Sequence, residues 1–180
     1  MKISINDKEI VFNKDDFPMF INGKAFVQSG ASFFSVSLMS KLLEWGEKIV
    51  FFTGFDPAKE LFRSQIGDKV DDNIIIIPTG DEGDFIKKLD EIKDLNERII
   101  LFKNIEEYST KLFDKLKDQK LIIFSGDIDK CEFGEQLANK DFQTKIFFSY
   151  PEKMNVENKI DLPKYKGLII SQKYNGIISL

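Results

Sequence analysis

Few side chains in this 180-residue sequence are suited to chemistry: it has no histidine and a single cysteine, Cys131. Cys–His nucleophile pairs and zinc centres therefore lack ligands, a disulfide within one chain is excluded, and a reducing compartment fits best. What remains is a Gly-and-Ser stretch, Gly30-Ala31-Ser32-Phe33-Phe34-Ser35-Val36-Ser37, leading into a long apolar run. Glycine and serine at the start of a helix leave backbone N–H groups turned outward, and together with the helix dipole these favour a phosphate. As a degenerate phosphate loop the stretch would offer Gly30, Ser32, Ser35 and Ser37, although the plainer reading of Gly30 and Ser32 is turn and N-cap. Phe33 and Phe34 interrupt the stretch and face either the chain's own core or a partner. Carboxylates recur at Asp56, at Asp81 with Glu82 and Asp84, at Glu106 with Glu107, and at Asp127 with Asp129. Acids favour the first turns of helices whether or not they bind anything, so no metal and no cofactor is expected from them alone.

The elements that must position these residues alternate. Two short runs over 2–5 and 9–12 read as a hairpin, and a first parallel strand is expected over 25–28. From Ser32 a helix carries Phe34, Leu38, Leu42 and Trp45 on one stripe until Gly46 stops it. Strands are expected over 48–53, 73–77, 98–102, 120–124 and 145–148, each an apolar run of the kind a sheet covered on both faces needs. Between them lie a short helix after Asp56-Pro57, a helix over 84–96, a stripe through Ile105, Tyr108, Leu112 and Leu116, and a helix holding Phe133, Leu137 and Phe142. A second hairpin is expected over 167–171 and 176–180. The pattern predicts one three-layer α/β domain over 1–180 with a mostly parallel central sheet and terminal β-hairpins. Within it, 1–23 is the N-terminal hairpin and lead-in, 24–150 the core, and 151–180 a loop and the second hairpin. Hydrophobic residues make up 42% and charged residues 31%, which suits an ordinary globular protein, and the 18 phenylalanines fall mostly on the periodic stripes. No apolar run approaches the roughly 20 residues of a membrane span. The alternating start is unlike a signal peptide, so a cytoplasmic protein without membrane contact is expected. A net charge of -4 and a pI near 5.1 argue against a general binder of nucleic acid.

This order of strands, helices, loop and closing hairpin resembles the P-loop NTPase superfamily in its RecA-like and AAA-like branches, over about four-fifths of the chain from Lys24 onward. Laid on G-x-x-x-x-G-K-[ST], the stretch keeps the first Gly as Gly30 and the final Ser as Ser37. Ser35 replaces the second Gly and Val36 the lysine, while Phe33 and Phe34 would fill the cradle with rings. Lys24, placed at the start of the expected strand, would lie about 16 Å from Ser29 at about 3.3 Å per residue, too far to substitute. Where the family usually carries a magnesium-binding aspartate, the strand over 98–102 leads into Lys103-Asn104, with Glu106 and Glu107 either a displaced acidic pair or ordinary first-turn acids.

The resemblance implies a catalytically inactive P-loop fold kept as an interaction or structural subunit. Protein partners or further copies of the chain are implied, in an assembly that handles nucleic acid in replication or recombination. Phe33 and Phe34 are the implied interaction residues. The alternative is a nucleotide-binding NTPase with a non-standard loop and a metal-binding acidic edge. Nucleic acid would be reached through the partner or through the basic edge formed by Lys24, Lys48, Arg98, Lys120 and Lys145. A third reading, direct single-strand binding, would use Tyr150, Tyr165 and Tyr174 with Lys153, Lys164, Lys166 and Lys173.

Overall fold

A computed structural model describes residues 4–5, 8–23, 31–53, 73–78, 82–156 and 159–179. Among them run β1 (Ser4–Ile5), β2 (Lys8–Glu9), β3 (Met19–Asn22), α1 (Ala31–Glu44), β4 (Ile49–Thr53), β5 (Ile74–Pro78) and α2 (Glu82–Glu91). Then follow β6 (Ile99–Phe102), α3 (Thr110–Leu116), β7 (Lys120–Ser125), α4 (Gly134–Asn139), β8 (Thr144–Phe147), β9 (Gly167–Ser171) and β10 (Asn175–Ser179). All ten strands form one sheet in the order β2-β1-β10-β9-β8-β3-β7-β6-β4-β5.

The chemistry of each run explains its place. Consecutive residues of a strand point to opposite faces, so the apolar runs feed two cores at once. Met19, Ile21, Ile49 and Phe51 lie on the face covered by Phe34, Leu38, Met39, Leu42 and Leu43 of α1. Phe20, Val50, Phe52, Ile100 and Phe102 lie on the other, under Phe85 and Leu89 of α2, Leu112 and Leu116 of α3, and Leu137 of α4. The right-handed crossover rule accounts for this division. The chain moves one way along the sheet from β3 to β4, and the opposite way from β5 through β6 and β7 to β8. Helix α1 ends as its glycine predicts: Gly46 has φ 81°, its N–H donates to Leu43 O, and Glu47 N–H donates to Leu42 O, a Schellman motif.

Two expectations are corrected. The sheet is mixed rather than mostly parallel: β8, β3, β7, β6, β4 and β5 run parallel, while β9, β10, β1 and β2 add antiparallel pairs. The reason is that β1 of the first hairpin pairs with β10 of the second, so the hairpins join into one wing beside β8. In addition, the parallel strand that precedes α1 is β3, whereas the strand expected over 25–28 lies outside the described residues. The short helix expected after Asp56-Pro57 also lies outside them. No described helix is long and apolar enough to cross a membrane.

Candidate functional site at the carboxyl edge of the sheet

In an open α/β sheet ligands bind beyond the carboxyl ends of the strands, where neighbouring strands send their connections to opposite faces. Strands β3 and β7 are such a pair, since the helix after β3 is α1 and the helix after β7 is α4. Their register sets Asn22 opposite Ser125, and β8 on the other side sets Phe147 opposite Asn22. The backbone is tied across both seams, with Gly23 N–H donating to Ser125 O at 2.9 Å and Phe148 N–H to Asn22 O at 2.8 Å. Asn22 is 2% exposed. Its amide donates to Ser149 O at 2.8 Å and to Ser149 Oγ at 3.2 Å. Its side-chain oxygen is buried without a hydrogen-bond partner.

The acids of this edge are held by neighbours. Glu106 Oε1 accepts from the N–H groups of Gly126 at 3.1 Å and Asp127 at 3.2 Å, and its Oε2 faces Ser125 Oγ at 3.3 Å. A Cβ on Gly126 would meet that carboxylate at 3.0 Å, which is why a glycine fits the turn. Glu107 accepts from the amide of Asn104 at 2.8 Å, and Asn104 itself sits in the left-handed region at φ 54°. Asp127 pairs with the exposed Lys130 at 3.0 Å. Asp129 accepts from the N–H groups of Glu152 at 3.1 Å and Lys153 at 2.9 Å, joining the loop after β8 to the loop after β7. Asn22, Asp127, Asp129, Ser149 and Glu152 line one cleft of about 40 Å³. Asp84 is exposed on α2, and Asp56 and Asp81 lie outside the described residues. No group of three or more Asp, Glu, Cys or His side chains able to hold a metal occurs among the described residues.

The described part of the Gly-and-Ser stretch belongs to α1, within one residue of the expected helix start. Helix α1 begins at Ala31, so Ser35, Val36 and Ser37 are helical residues and not part of a loop. Beyond the first turn, backbone N–H groups are bound to carbonyls four residues back and cannot cradle phosphate. Ser35 and Ser37 are both buried. Phe34, expected at an interaction surface, is fully buried in the chain's own core between Phe12 and Phe148, with ring centroids 6.5 and 5.7 Å away. Gly30 lies outside the described residues, as do the side chains of Ser32 and Phe33. Lys24 also lies outside them.

The opposite edge is a structural clamp. Asp94 receives Lys48 Nζ at 2.8 Å and Arg98 Nε at 2.8 Å. Hydrogen bonds from Arg98 and then Lys48 hold the Asp94 carboxyl down at about 2. The tyrosines are mostly occupied: Tyr150 OH bonds Ile160 at both its O and its N–H, and Tyr174 OH donates to Val11 O. Tyr165 is exposed, with Lys164 Nζ 4.9 Å from its ring centroid. Cys131 is buried, and burial pushes its thiol up to about 11, so it is no nucleophile at neutral pH. Sequence reading passed over Asn22 and Ser149, because a polar residue closing an apolar run looks like any strand end. A scan against models of protein families finds no match, and a search of curated proteins finds no similar sequence.

Proposed function

We propose that this chain is a catalytically inactive protein of P-loop NTPase-like architecture that serves as an interaction or structural subunit of an assembly handling nucleic acid, in replication or recombination. The observation that carries the inactive half of this reading is the state of Glu106. A magnesium-binding acid in phosphoryl transfer needs its carboxylate turned to the ligand. Glu106 instead accepts two backbone N–H groups and faces the Ser125 hydroxyl, which shape the turn after β7. Where the motif has its lysine, Val36 sits within α1, so the charge that neutralises the outer phosphates is missing from that position.

The interaction half is supported by an exposed face beside the core that holds Phe34. Val11 is 58% exposed and Trp45 43% exposed, and the two border a groove with Ile10, Leu38 and Lys41. An exposed tryptophan beside an aliphatic neighbour is the kind of anchor protein interfaces favour. The link to nucleic acid comes from the resemblance. Purified protein is expected to release phosphate from ATP or GTP with magnesium only at background rate. Sustained release, abolished by Glu106→Gln, would overturn the reading in favour of an NTPase that uses its acidic edge.

A further inference from the structure

We propose that the turn Pro163-Lys164-Tyr165-Lys166, which leads into β9, is a contact point for single-stranded nucleic acid, with the Tyr165 ring stacking on a base and Lys159, Lys164 and Lys166 meeting phosphates. The starting point is a conformation that tyrosine disfavours. Lys166 N–H donates to Pro163 O at 3.0 Å, closing a tight turn, and Tyr165 stands at its third position with φ 63°. Lys164 is not in the positive-φ region. A turn with positive φ at the third position alone takes glycine or asparagine, and a bulky side chain there strains the backbone. Burial does not offset that strain, because all four residues of the turn are exposed, Tyr165 at 47%.

The turn is anchored on both sides. Leu162 before it packs on the core, and Gly167 after it is so closely set that a Cβ would meet Phe147 O and a ring carbon of Phe148 at 3.2 Å. Leu168 pairs with Phe147, so the turn stands beside the carboxyl end of β8, on the edge where open α/β sheets take their ligands. A second pair of aromatic ring and lysine stems from the same strand end. Tyr150 OH bonds Ile160 at both its O and its N–H, and Lys159 Nζ lies 5.7 Å from the Tyr150 ring centroid.

Charge decides the sign of the partner and the ring decides its class. Residues 159–166 hold three lysines against one acid, Asp161, in a chain whose net charge is -4. The three lysines are exposed, and none of them forms an ion pair among the described residues. Such a surface fits a polyanion. Every base offers a flat face on which tyrosine can stack, and lysines interleaved with exposed rings hold a single strand without reading its sequence. An acidic peptide has no such faces, and a duplex keeps its own stacked between base pairs. Lys164 Nζ is 4.9 Å from the Tyr165 ring centroid, so one nucleotide can meet both groups. The proposal deepens the reading above and rests on it for the assembly such a strand belongs to, while the surface itself is read from the ring and its charges.

The test uses the whole protein and a fluorescein-labelled oligothymidylate of about 12 nucleotides, with binding followed by fluorescence anisotropy. Saturable binding is expected, and its logarithm should fall with the logarithm of NaCl concentration at a slope of about -2, the value for three phosphates on a single strand. Tyr165→Asn should weaken binding at least about fivefold and keep the melting temperature, since asparagine suits the turn. Tyr165→Phe, which retains the ring, should bind as the wild type does. Changing Lys164 and Lys166 together to Gln should reduce the slope to about -0.7. A duplex of the same length and polyglutamate should both compete poorly. Binding left unchanged by Tyr165→Asn, a lower melting temperature in that variant, equal loss in Tyr165→Phe, equal competition from the duplex or from polyglutamate, or no binding at all would each overturn the proposal. Any of these leaves the reading of an inactive subunit standing, with nucleic acid reached through a partner, whereas sustained phosphate release would overturn that reading without touching this surface.

Discussion

Phe34 shows how one side chain divides two accounts of the same stretch. As a ring at a helix start it suits a partner surface, yet it is fully buried and packs edge-on to Phe12 and tilted against Phe148. Phe12 comes from the segment before β3 and Phe148 from the end of β8, so one ring ties α1 to two distant parts of the chain. Truncating it leaves a cavity that three elements would have to close together. Phe34→Ala is expected to lower the unfolding free energy by about 3–5 kcal/mol, measured by urea denaturation, with no change in solution size. Unchanged stability with weakened association would instead return Phe34 to the surface and restore the earlier expectation.

At the scale of elements, the starts of β4 and β6 are joined through Asp94, which stands between Lys48 and Arg98. Because the Asp94 carboxyl is held down at about 2 from an ordinary 3.8, the folded protein keeps this group ionised at pH values where the unfolded chain protonates it. Its contribution is therefore complete above about pH 4 and is lost as the pH falls through 2. Asp94→Asn should be less stable than wild type at pH 5, and the two should converge near pH 2 in parallel denaturation curves. A constant difference across that range would show that the clamp acts through packing alone. The same strands show what could be read from sequence. β4, β5, β6 and β7 are unbroken apolar runs because helices cover both faces, and their positions follow from composition. β3 escaped because it is only Met-Phe-Ile-Asn, set between Pro18 and Gly23, and punctuation outweighed four residues. The cleft escaped for another reason: Asn22 meets Ser149 across 127 residues, a pairing that no local pattern encodes.

For the whole molecule, the decisive fact is that the two ends of the described chain are interlocked. β10 lies between β9 and β1, with Ser4 opposite Ser179 and Ile5 opposite Ile178. Ile178 is fully buried, and a Cβ on Gly167 would meet its Cγ2 at 3.1 Å, so the wing is closely packed as well as hydrogen-bonded. The turn before β10 is fastened separately: Lys173 Nζ reaches Asn13 Oδ1 at 2.9 Å and the buried Asp16 at 3.3 Å, and Tyr174 OH donates to Val11 O at 3.2 Å. A hairpin alone is marginal in water, so β1 and β2 depend on β10 for their place in the sheet. Removing residues 172–180 should therefore cost more than the roughly 2–5 kcal/mol expected of Ile178→Ala alone. It should also strip hydrogen-exchange protection from Ile5 while the amides of Ile100 and Ile122, deep in the parallel part, keep most of theirs. If the shortened protein melts at the wild-type temperature, the wing is an appendage and the parallel strands carry the stability alone. If Ile100 and Ile122 lose protection together with Ile5, the ten strands unfold as one cooperative unit.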